Sequence, residues 1–185
     1  MWRRLRACAL LAALALLAGC IPFAEQVPGE LAVRSAQLRD TAGGAMLDLA
    51  LDCRLSGPMQ DALEHGIPLT LRIDLDAGRR LTRTHRQERQ HVELRYFPLS
   101  RRYQLREAGS DDVRSFATPA SLLAALGTLH LPLPDGFARL PAATPLRVSA
   151  ALDPAALPGA LRLPALFEPA WRLAAEEHAW TVAAH

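Results

Sequence analysis

The sequence contains no lysine; all 21 of its basic residues are arginine. It has only three cysteines and no C-x-x-C, H-x-H or H-x-x-x-H spacing, so near neighbours supply neither a disulfide framework nor a compact zinc site. There is no G-x-S-x-G elbow, no G-x-G-x-x-G and no phosphate-cradling glycine loop. No internal repeat is visible. No apolar run reaches the roughly 20 residues that span a bilayer. The run from Ala7 to Ala18 comes nearest, and Pro22 stands against a helix continuing beyond it.

That run is informative in another way. Arg3, Arg4 and Arg6 precede it, and a basic stretch followed by a short apolar one is the layout of an export signal. It ends in Leu17-Ala18-Gly19-Cys20, which resembles the lipobox of bacterial lipoproteins. There the cysteine is joined to a diacylglycerol through its sulfur, and the chain is then cut on its amino side. Small residues before the cysteine let the backbone enter a peptidase at the membrane surface, and the thiolate is the alkylated nucleophile. The plainer alternative is an ordinary cleaved signal with an incidental cysteine. Ile21, not aspartate, follows the cysteine, the pattern expected of a lipoprotein sent to the outer membrane.

Cleavage before Cys20 leaves 166 residues, enough for one domain with a real core. It also removes three arginines. The remaining 18 face 19 acids, and the formal charge moves from +2 to −1. The nucleic-acid reading that a basic chain invites falls away with it. Cys8 leaves with the signal and Cys20 takes lipid, so Cys53 stands alone. The expected organisation is a signal over residues 1–19, a tether over 20–30 and a single domain over 31–185.

Alternation dominates that domain. Leu47, Leu49, Leu51, Cys53 and Leu55 fall on one face of a strand, with Asp48, Asp52 and Arg54 on the other. Leu69, Leu71, Ile73 and Leu75 alternate with Thr70, Arg72, Asp74 and Asp76, and Leu146 to Leu152 repeats the pattern. The stretch from Leu31 to Asp40 alternates imperfectly, as a bulged strand would. Two segments read as short helices. Pro58 and Gly66 bound one, and Thr118, Pro119 and Gly127 bound the other. Residues 130–145 carry four prolines and read as a loop, "LRLPALFEP" follows a proline-rich turn, and the segment with Trp171, Leu173 and Trp180 reads as a closing strand. The expected fold is mainly β: an antiparallel β-sandwich, immunoglobulin-like in one form, with two short helices and a long projecting hairpin.

The hairpin is the unusual part. Residues 79–106 hold nine arginines against two glutamates, and Thr82 to His91 contains no apolar residue. Arg79, Arg80, Arg83, Arg86 and Arg89 form the one candidate surface for an anion or a protein partner, since guanidinium groups pair bidentately with phosphate and carboxylate. The simpler reading is a charged strand that resists edge pairing. His85 and His91 would be about 20 Å apart along one strand, too far to share an ion. Asp111-Asp112 and Glu176-Glu177 read as solvated surface acids, and Trp171 and Trp180 as core closure. Catalytic residues, cofactors and metals are therefore not assigned.

Four segments, "DALEHGIPLTLRIDL", "LRYFPLSRRYQLRE", "SFATPASLLAALG" and the terminal "WRL…W", resemble the exported bacterial family known as domain of unknown function 4390. Its most specific pieces here are Gly66-Ile67-Pro68-Leu69, Leu99 to Tyr103, and Ser115 to Thr118 before a leucine helix. Ala170 stands where an acid is expected, and "LPLPDG" diverges. The resemblance implies an envelope-associated protein of no known activity, with members encoded beside sensor kinases. Together these readings lead to a non-enzymatic lipoprotein facing the periplasm, membrane-anchored at Cys20 and binding an envelope protein or anionic envelope component. The rival is a periplasmic small-ligand sensor acting with a sensor kinase.

Overall fold

The computed structural model describes residues 27–79, 85–107, 109 and 112–182. Among them are nine strands in two antiparallel sheets. The strands are β1 (Glu30–Thr41), β2 (Gly44–Arg54), β3 (Leu69–Ala77), β4 (Arg86–Phe97), β5 (Arg102–Glu107), β6 (Val113–Phe116), β7 (Leu129–Leu133), β8 (Pro145–Leu152) and β9 (His178–Thr181). One sheet has the order β1-β2-β7 and the other β6-β5-β4-β3-β8-β9.

The alternating leucines account for the packing. Leu47, Leu49 and Leu51 of β2, Leu69 to Leu75 of β3, and Leu146, Val148, Ala150 and Leu152 of β8 are all buried, and they belong to a single apolar cluster with Leu105, Leu129 and Leu131. Each sheet has one apolar face, removed from water mainly by the other sheet and at one end also by Met59, Leu63, Leu122 and Leu126 of the helical connections. The outer face of β1 and β2 carries the alternate residues. There Arg34 pairs with Asp52, Arg39 with Asp48, and Arg54 with Glu30 across the strands. The irregularity in β1 is a bulge: Val33 pairs with Leu51 and Ser35 with Ala50, leaving one residue unpaired between them.

Apart from β6, the strand order matches a variable-type immunoglobulin sandwich, in which a fourth and fifth strand extend the sheet built on the third. Two features set it apart. Cys53 lies on β2, where antibody domains carry half of their inter-sheet disulfide, but β8 has no cysteine to meet it, and β3 has no tryptophan. The sixth strand also pairs with β5 and not with β7, which leaves an open seam between the β6 and β7 edges.

Three short helices lie on the connections at one end. They are α1 (Gly57–Glu64) between β2 and β3, α2 (Pro119–Ala124) between β6 and β7, and α3 (Gly159–Phe167) between β8 and β9. Ser56 caps α1 by accepting from the Met59 amide at 3.4 Å, and its hydroxyl donates to the Ala170 carbonyl at 2.6 Å, tying the helix to the chain after α3. Thr118 caps α2 by accepting from the Ser121 amide at 3.2 Å.

The structure departs from the sequence expectations in three places. Leu129 to Leu133 is a strand within the expected loop; it pairs only with β2, and an edge position tolerates Pro132. "GALRLPALF" is a third helix despite Pro164 inside it. Trp171 lies in a 3-10 turn and is buried, Ala174 makes an isolated bridge to Ala151, and β9 is the closing strand, with Trp180 against the core. The long hairpin is β4 with β5, and residues 86–91, which extend past β5, pair with β3.

Leu71 is fully buried and bridges two neighbours, pairing with Val92 on β4 and Leu152 on β8. Leu71→Ala is expected to cost about 2–5 kcal/mol, as truncation of a core leucine does. The shift in urea midpoint at constant slope measures it.

Candidate functional site

Strand direction divides the molecule into two ends. Arg54 pairs with Glu30, Leu94 with Leu69, and Leu152 with Leu71. The start of β1, the β4–β5 turn and all three helix-bearing connections therefore meet at one end. The β3–β4 connection, flanked by Arg79 and His85, is at the other, about 30 Å away by the rise of a nine-residue strand.

Of the arginines singled out in the sequence, Arg80 and Arg83 lie outside the described residues, as does Cys20. Arg86 and Arg89 are three apart in one strand, so they point to opposite faces. Arg86 pairs with Ala77 on the inter-sheet side, and its guanidinium lies over Gly136; a side chain at Gly136 would come within 3.3 Å of it. Arg89 is on the outer face and donates to Asp74 at 2.7 Å, and Asp74 also accepts from Arg72 at 2.9 Å. His85 pairs with Asp76 at 3.0 Å, and His91 lies 3.7 Å from Asp153. The arginine-rich strand is thus a lattice of cross-strand pairs on its outer face. Only its loop end, at Arg79, extends beyond the paired strands. Among the described residues no three His, Cys, Asp or Glu side chains converge on a possible metal position.

The seam between β6 and β7 holds a cleft of about 660 Å³, open to solvent and lined by Met46, Glu107, Arg114, His130 and Pro132. It leaves no mark in the sequence, because its residues come from four strands. Glu107 is its centre. The Glu107 carboxylate is buried, accepts from Arg114 at 2.7 Å and from the His130 backbone amide at 3.2 Å. Arg114 also donates to the Ala125 carbonyl at 3.2 Å and the Thr128 hydroxyl at 3.3 Å. These bonds replace, with side chains, the backbone ladder that β6 and β7 do not form. At the cleft's rim His130 contacts Asp48 at 2.7 Å. Burial alone would raise the Asp48 pKa, but hydrogen bonds and charge from His130 and Arg39 together outweigh it and hold the carboxyl below its ordinary value.

Cys53 faces inward from β2 but is only half-buried. Desolvation, aided by the charge of neighbouring Asp52, pushes its thiol up to about 12. A thiol so poor in thiolate is inert, and its oxidation or metal ligation is disfavoured for the same reason. Among the described residues no helix is long and apolar enough to cross a membrane.

Three outcomes follow. Glu107→Gln leaves a part-buried guanidinium without its carboxylate and is expected to cost about 1–3 kcal/mol in urea unfolding. Asp52→Asn, which breaks only the exposed pair with Arg34, is expected to cost less than about 1 kcal/mol by the same measurement. Cys53 in the folded protein is expected to alkylate with iodoacetamide at pH 8 more than about a hundredfold slower than a free cysteine, and at the ordinary rate in urea.

No curated protein and no solved structure matches the chain. A family model does, over residues 29–181, which takes in all nine strands whole: its description is "Domain of unknown function (DUF4390)". The chain belongs to the DUF4390 family.

Proposed function

We propose that this protein is a non-enzymatic lipoprotein of the bacterial envelope, held to a membrane through Cys20, whose sandwich domain binds another envelope component. The observation that carries the reading is the leader: three arginines, a dozen uncharged apolar residues, and Leu17-Ala18-Gly19-Cys20 just ahead of the domain's first strand.

The geometry refines what the domain would present. From Cys20 to the start of β1 is ten residues, at most about 35 Å of extended chain. The helix-bearing end, where β1 starts, is then the membrane-proximal end, and the loop after Arg79 is the distal one. A domain standing on its helix-bearing end directs its distal end away from the head groups around its own anchor and toward an acidic protein surface or the opposing membrane. The space between the sheets, where a ligand-sensing domain would hold its ligand, is filled by the leucine cluster. This favours a partner-binding surface over a sensor.

Metabolic labelling with a fatty-acid analogue tests the anchor. The wild-type chain is expected to incorporate label and to sediment with membranes, and Cys20→Ala to incorporate none. Label retained by Cys20→Ala would overturn the lipoprotein reading.

A further inference from the structure

Six large apolar side chains are exposed among the described residues: Val27, Leu99, Val113, Leu163, Leu166 and Phe167. Five of them sit at one end. Val27 precedes β1, and Gly29 beside it packs so closely that a Cβ there would lie 2.9 Å from Leu173. Leu99 is at the tip of the β4–β5 turn, fully exposed. The other three are on α3. Val113, at the start of β6 beside Arg106, is the exception, at the far end.

The helix α3 is apolar on two sides. Ala165 is buried and Leu161 packs against the core, which accounts for one side. Leu163, Leu166 and Phe167 are spaced i, i+3 and i+4, so they form one stripe on the opposite side. They are 66%, 61% and 75% exposed, and nothing among the described residues covers them. Single exposed leucines are ordinary on any surface; a stripe of three on one short helix is a docking feature. Its only charged residue is Arg162, whose Nε donates to the Leu157 carbonyl at 2.8 Å, with Glu168 and Arg172 following the helix.

We infer that this stripe docks into the surface of the lipid bilayer and seats the domain on the membrane by its helix-bearing end. The inference rests on the membrane anchoring proposed above and adds to it an orientation. The occupant follows from where the chain enters. The first described residues emerge at the same end as α3, and only ten residues separate Cys20 from β1. Freely coiled, ten residues would give an end-to-end distance of about 15–20 Å. The bilayer is thus presented to this face at high effective concentration, and an apolar stripe weak by itself becomes occupied. A partly buried helix with its long axis along the surface, leucine and phenylalanine inward, is how an interfacial helix sits. The contact is driven by apolar burial and so differs from arginine-mediated binding in resisting added salt.

The test uses the full chain reconstituted in phosphatidylethanolamine–phosphatidylglycerol vesicles that contain a phospholipid with a diazirine in its acyl chain. After illumination, adducts are mapped by mass spectrometry. They are expected on the peptide that contains Leu163, Leu166 and Phe167, and to survive added salt. The variant Leu163→Ser, Leu166→Ser, Phe167→Ser is expected to lower them by at least about tenfold, the factor for losing one apolar side chain from an apolar phase. These side chains are largely in solvent, so the variant's thermal midpoint is expected to stay at the wild-type value. Adducts confined to residues 20–29, or equal in the variant, would overturn the docking, as would crosslinks from α3 to a second copy without lipid adducts. The mass of the amino-terminal peptide reports acylation separately. Adducts on α3 in a chain lacking acyl groups would remove the anchor and leave the docking standing.

Discussion

Mutual burial of one face of each sheet is the interaction on which the rest of this molecule depends. The three-stranded sheet contributes Leu47, Leu49, Leu129 and Leu131; the six-stranded sheet answers with Leu71, Ile73, Leu94, Leu105 and Val148. Neither face could stay dry alone, and a single-residue slip in any strand would turn its leucines to water and its aspartates inward. Register is therefore set by burial. The cross-strand pairs Arg39–Asp48 and Arg89–Asp74 follow from register and contribute little to it, their arginine side chains being more than half exposed.

The same burial makes the open seam tolerable. Antibody domains join their sheets covalently, whereas here the core is continuous without a disulfide, and the unpaired edges of β6 and β7 are joined by Glu107 and Arg114. A carboxylate that accepts from a guanidinium on one edge and an amide on the other holds two strands without a ladder. The cleft left beside it is a consequence of that arrangement. Its polar groups are largely paired with one another.

Function, on the reading proposed, lies at the two ends of the sandwich. Strand direction places the start of the domain, α1, α2 and α3 together, and sends the arginine-rich β3–β4 connection to the opposite end. An anchor at Cys20 would then turn a nearly neutral domain into one with distinct proximal and distal surfaces. The proximal one is apolar through Leu163, Leu166 and Phe167; the distal one carries the β3–β4 connection.

Much of this was legible before any coordinates. The alternation in β2, β3 and β8, the bulge in β1, and the caps of α1 and α2 each depend on residues close in the chain, so period and capping chemistry reveal them. The strand β7 and the helix α3 were not legible, because each contains a proline whose local preference is overridden by its surroundings: Pro132 by an edge position, Pro164 by packing of Leu161 and Ala165. The arginine run appeared as one surface in sequence. Two-residue periodicity places Arg86 and Arg89 on opposite faces, and the pairing partners of each were set by β3. The seam and its Glu107–Arg114 pair could not be read at all, since they depend on which sheet the sixth strand joins. By itself the sequence determined the one-sided strands and the two capped helices, all products of local pattern. Tertiary structure decided strand order, the seam, and the face of α3 left bare, because these depend on which surfaces remain once the core has closed.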